Sequence, residues 1–166
     1  MRRVAGLGLM SAAALAQATW APRFEVGGAF PNLVLAAVVG LSWTLGTRSA
    51  LVWAVAGGLL LDLTSSGPIG PHALALLPGV YVSGFWIRNL EHPNAVHVAL
   101  TAAVCTVLYS AVLVLADDLL GTALPAPGAA VQLTIAAAIY NAVLAPFAYE
   151  LVRRLQSLVR AAPQTS

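Results

Sequence analysis

The chain has 166 residues, of which 60% are hydrophobic and only 8% charged, with a formal net charge of +2. A soluble domain carries about 25% charged residues, so a water-facing surface cannot be assembled here. Disorder is excluded as well, because disordered chains are poor in apolar residues and rich in charge.

What remains is an all-α integral membrane protein whose main solvent is lipid. Six helices of about 20 residues would use most of its length, which predicts a six-transmembrane-helix bundle with no second, soluble domain. Met1-Arg2-Arg3, an apolar stretch and Ala16-Gln17-Ala18 have the form of a signal peptide with a small-residue cleavage site. Residues 4–21 are also long enough for a first transmembrane helix, and the multi-spanning remainder favours that reading. The second apolar segment covers about 29–46 and the third about 49–64, ending in the polar turn Thr64-Ser65-Ser66-Gly67-Pro68. The fourth covers about 70–87, the fifth about 95–116 and the sixth about 129–151. The third and fourth are short for a hydrocarbon core of about 30 Å, which suggests a tight hairpin, a thinned bilayer or partly re-entrant segments. Pro78 and Pro146 fall inside the fourth and sixth segments and predict kinks or breaks there. Residues 1–152 thus form the transmembrane domain, and 153–166 a short basic cytoplasmic tail.

Orientation follows from the arginines, since the chain contains no lysine. With the N-terminus inside, Arg2, Arg3, Arg48, Arg88, Arg153, Arg154 and Arg160 fall on one side and only Arg23 on the other. That asymmetry predicts both termini in the cytoplasm. Trp20, Phe30, Trp43, Phe85 and Trp86 lie near predicted helix ends, as interfacial anchors do. The arginines are scattered between apolar runs and form no basic patch, so no nucleic-acid partner is expected.

Asp62 is the one acid clearly inside a span, and intramembrane acids are expensive enough to suggest a role. The helical rise brings Tyr109 and Gln132 to a similar depth, and either side chain could hydrogen-bond its carboxyl group. Two readings follow, an ion or proton relay and a structural hub closing the third helix. The hub is favoured because no second acid or base comes within reach. His72 falls near the outer face, whereas His92 and His97 fall near the inner face, so the histidines build no metal site. His72 reads as an interfacial side chain. The single Cys105 offers no disulfide partner. Ser65, Ser66 and Ser83 lack the strand-turn-helix context of a hydrolase nucleophile. Gly57-Gly58 lies within a helix, where small residues permit close packing. The expectation is a protein that is not an enzyme and carries no cofactor.

Several stretches occur together in a recognisable order. Pro31-Asn32 heads the second helix. Gly58-Leu59-Leu60-Leu61-Asp62-Leu63 is followed by Gly67-Pro68-Ile69-Gly70 and His72-Ala73-Leu74, then by Tyr81-Val82-Ser83-Gly84. Tyr140-Asn141-Ala142-Val143-Leu144-Ala145-Pro146 precedes the last arginines. This set resembles the rod shape-determining protein MreD family over about three-quarters of the chain, from 31 to 154. The resemblance implies Pro31, Asn32, Gly58, Asp62, Gly67, Gly70, Tyr81, Gly84, Asn141 and Pro146 as the residues of family or structural importance.

It further implies a non-enzymatic scaffold of the bacterial cell-elongation complex in the inner membrane, supporting cell shape and peptidoglycan synthesis. The expected partner is an MreC-like bitopic membrane protein, which connects to MreB, RodA and a class B penicillin-binding protein. The family's fold is similar to the S components of energy-coupling-factor transporters. That similarity supplies an alternative function, binding of a vitamin-type solute. The external loops offer little for it beyond Asp117, Asp118, Trp20 and His72.

Overall fold

The computed structural model describes residues 2–25, 28–65, 67–91, 94–122 and 124–161. Among these it shows six α-helices and no strand: α1 (Arg2–Thr19), α2 (Leu33–Leu45), α3 (Thr47–Thr64), α4 (Pro71–Asn89), α5 (Ala95–Leu119) and α6 (Pro127–Ala161). A single 3-10 turn, Ala21–Phe24, follows α1. The helices fall within the six predicted apolar segments or extend them. α6 is the largest departure, running as one helix through the sequence expected to be a tail. α4 and α6 also continue through Pro78 and Pro146 without a break.

Local chemistry sets the boundaries. Asn32 caps α2 by accepting a 2.9 Å hydrogen bond from the Leu35 N–H, which satisfies one of the donors that a helix start leaves free. α2 stops at Gly46, whose N–H donates back to Ser42 O. Pro71 occupies the first turn of α4, where its missing N–H costs nothing. Asn94 and His97 form a reciprocal capping box at the start of α5.

α2 is the centre of the bundle. It packs against every other helix, and the whole run Val34–Ser42 is buried. A helix apolar on all sides fits only such a position. α3 joins the bundle through Gly57 and Gly58, which face different neighbours. A Cβ at Gly57 would meet Val34 and Met10, and one at Gly58 would strike the backbone of Ala73. The glycine pair therefore allows close approach on two sides, as the sequence suggested. Gly84 repeats the arrangement at the other end of the α3–α4 seam, against the Thr47 side chain.

The outer surface is apolar. α6 exposes Val131, Ile135, Ile139, Val143, Phe147 and Leu151, a row at four-residue spacing that winds gradually around the helix. α3 exposes Val52, Val55, Leu59 and Leu63, and α4 exposes Leu74, Tyr81 and Phe85. Two helices, α5 and the Pro127–Leu158 part of α6, are long and apolar enough to cross a membrane by length and composition. Trp20, Phe30 and Phe85 are exposed as interfacial anchors would be. Trp43 instead packs edge-on against Tyr149, with ring centroids 6.5 Å apart.

Candidate functional site

Two polar joints lie inside this apolar bundle. The first is built on Asp62, in the last turn of α3, with 1% of its surface exposed. Its Oδ2 accepts a hydrogen bond from the Gly70 N–H at 2.9 Å. Its Oδ1 accepts from the His72 N–H at 3.0 Å and from His72 Nδ1 at 2.8 Å. Gly70 can present its N–H because it adopts a φ of 125°, a conformation natural to glycine alone. The carboxylate thus sits on the first N–H groups of α4, at the positive end of its dipole. Ser65 completes the turn by donating from Oγ to the Asp62 carbonyl at 2.9 Å.

This geometry corrects three expectations. Among the described residues Asp62 makes no hydrogen bond to Tyr109 or Gln132, and Gln132 is exposed. Its partner is His72, which is not a free interfacial side chain. Helical rise alone had placed Tyr109 level with the acid, but the turn at Gly70 folds the chain back and brings a nearer donor. Tyr109 instead lies beside the His72 ring, with centroids 6.1 Å apart. A base is therefore in contact with the acid, although it was read as lacking one. An ionised carboxylate can only accept, so against it Nδ1 is the nitrogen that carries a proton. Among the described residues no hydroxyl is hydrogen-bonded to Nε2, as nucleophile activation would require.

The second joint surrounds the start of α2. The Asn32 N–H donates to Asn141 Oδ1 of α6 at 2.8 Å, and the Leu33 N–H donates to Gln17 Oε1 of α1 at 2.6 Å. Asn141, with 0% exposure, donates from Nδ2 to Thr106 Oγ1 of α5 at 2.9 Å. Thr106 Oγ1 in turn donates to the Ala102 carbonyl at 2.7 Å. α2 has only 13 residues, so it is about 20 Å long and its first turn lies within the bundle. Side chains from α1, α5 and α6 supply what solvent would otherwise give its backbone. The resemblance had singled out Asn32 and Asn141, and here they meet across 109 positions of sequence. Gln17 and Thr106 had been missed as members. Gln17, a lone amide in an apolar helix, was the one readable signal.

The remaining residues of that set divide. Gly58 and Gly84 mark the α3–α4 seam, and Pro31 is buried beside Asn32. Gly67 is exposed in the α3–α4 turn. Tyr81 is exposed on α4, and Pro146 lies within α6 near Trp43 and Tyr149. Ser66 and His92 lie outside the described residues. Among the described residues no group of three His, Cys, Asp or Glu side chains could hold a metal ion.

Between the two joints lies a cavity of about 510 Å³, bordered by α1, α3, α4, α5, α6 and the segment that leads into α2. His72 and Asp117, two of the residues expected on the outer side, both line it, together with Gln17, Asn32, Tyr109 and Asn141. The chain matches no protein-family model, no curated protein and no solved structure.

Proposed function

We propose that the protein is a multi-pass scaffold of the bacterial inner membrane, of the MreD kind. In this reading it acts by binding an MreC-like bitopic partner and supports cell elongation without catalysing a reaction. The observation that carries the proposal is what the resemblance residues do. Asp62 with Gly70, Asn32 with Asn141, and Gly58 and Gly84 on their seam all hold helices to one another. A chain whose distinctive residues are joints suits a rigid docking body.

The apolar outer faces support the lipid setting. A buried core helix of a soluble protein would pass the same hydropathy test as α6, but only 11% of the apolar window in α6 is buried. Large contiguous apolar surfaces are not tolerated in water. In this reading all six helices cross or enter the bilayer, and both termini are cytoplasmic. Reporter fusions after Arg48 and Arg88 are expected to report cytoplasm, and fusions near Pro68 and Pro125 the outside. An external reading after Arg88 would end the six-span arrangement.

The scaffold itself is tested by association. The full chain, extracted in mild detergent, is expected to co-purify with an MreC-like protein, and its depletion in a rod-shaped host should round the cells. Tryptophan substitutions along the exposed rows of α3, α4, α5 and α6 should abolish association on one contiguous face only. Lipid accommodates added bulk, whereas a packed helix pair does not. Association that survives every substitution would remove the docking-body reading.

A further inference from the structure

The cavity between the two joints has no role in holding the helices together. Its volume of about 510 Å³ falls within the range of about 300–1,000 Å³ typical of small-molecule sites. We propose that it binds a small ring compound, uncharged or cationic, that carries hydrogen-bonding groups along one edge. The proposal goes beyond the scaffold reading and stands independently of it.

Three features fix the ligand class. The first is unused hydrogen-bonding capacity in buried side chains. Tyr109 and Gln17 are 8% and 9% exposed, and both line the cavity. Among the described residues the Gln17 amide nitrogen makes no hydrogen bond, since only Gln17 Oε1 is engaged, while the Tyr109 hydroxyl lies beside the Asn32 side chain. Buried polar atoms are nearly always paired in proteins, so a polar edge brought against the Gln17 amide would complete it, and the Tyr109 hydroxyl at the same wall can add a second bond.

The second feature is the wall. Leu113, Val114 and Leu133 supply apolar surface, and the adjoining His72 and Tyr109 rings supply aromatic surface. Flat rings pack well on such walls, and aromatic faces also attract cations.

The third feature is charge. Among the described residues Asp117 and His72 are the ionisable groups of the lining apart from Tyr109, and no arginine borders the cavity. His72 is already bound to the Asp62 carboxylate. An anion would lose its hydration without gaining a cationic partner, which is costly, whereas a cation would find Asp117.

Benzamidinium, benzamide and benzoate share one shape and differ in charge, so they are suitable probes. Their binding to the detergent-solubilised full chain can be measured by equilibrium dialysis, with protein-free micelles as the blank. Saturable binding is expected for benzamidinium and benzamide and not for benzoate. Asp117→Asn should weaken benzamidinium about tenfold and leave benzamide unchanged, matching the loss of one charge contact of about 1.4 kcal/mol. Ala137→Phe, which places a ring in the cavity from α6, should abolish both. Tyr109→Phe preserves shape and removes one hydroxyl, so it should weaken benzamide by at least about threefold even if the bulkier variant fails to fold. Equal binding of all three probes would overturn the proposal. So would binding unchanged by both Tyr109→Phe and a folded Ala137→Phe.

Discussion

Asp62→Leu is expected to remove most of the folded protein recovered from membranes. The carboxylate accepts from the Gly70 N–H, the His72 N–H and the His72 ring, and leucine accepts from none of them. The two backbone donors cannot turn away, because the φ of Gly70 and the first turn of α4 fix them. Each buried donor left unpaired costs about 1–3 kcal/mol. Asp62→Asn should be intermediate, because one oxygen becomes an NH2 group that faces N–H donors. Asp62→Lys should be worse than leucine, since it sets a cation against the positive end of α4. His72→Ala should be mild by comparison, because the carboxylate keeps both backbone donors. The measurement is the thermal midpoint and the monodisperse yield of each variant in detergent. Wild-type stability in Asp62→Leu would show that the joint does not hold α3 to α4.

Gly58→Ala is expected to separate the same two helices. The added Cβ would fall on Ala73 Cα and N and on the His72 carbonyl carbon. These are backbone atoms, so no rotamer change relieves the contact, and overpacking of this kind costs about 1–3 kcal/mol. Gly8→Ala is the matched control, since nothing lies within 4 Å of its would-be Cβ. It should be neutral or stabilising by about 0.5–1 kcal/mol, as expected for alanine replacing glycine within a helix. Gly58 and Asp62 are one turn apart on the same face of α3. Spreading the helices at one therefore stretches the bonds at the other. The double variant Gly58→Ala/Asp62→Asn should lose less stability than the sum of the single losses. Strict additivity would contradict a shared seam.

The helices were legible because hydropathy, glycine and proline mark them locally. Thr64-Ser65-Ser66-Gly67-Pro68 announced the end of α3, and Pro71 the start of α4. The end of α6 was not legible, because arginines mark where apolar character stops, which is not where a helix stops. Asp62 could be picked out as unusual, but its partner could not. The Asp62–His72 contact depends on Gly70 reaching a φ of 125°, which the sequence allows without requiring. Asn32 and Asn141 could be named only through a resemblance, since nothing local links positions 109 apart. The cavity left no trace in the sequence, because its lining is drawn from five helices and the segment before α2.

α6 is fastened at two points. Asn141 bonds to Asn32 and Thr106, and fifteen residues further on Gln156 Nε2 donates to Thr44 Oγ1 at 2.7 Å. The helix is therefore a clamped beam. Residues 127–140 form a cantilever of about 20 Å beyond the first clamp, tied near its root by the Tyr140 hydroxyl to the Phe24 carbonyl at 2.7 Å. Pro146 lies between the clamps and lacks the N–H that would stiffen the span. Deflection of the cantilever, which borders the cavity, is absorbed at Asn141. Mechanical force reaches the C-terminal end of α6 only if a clamp breaks or the beam flexes at Pro146.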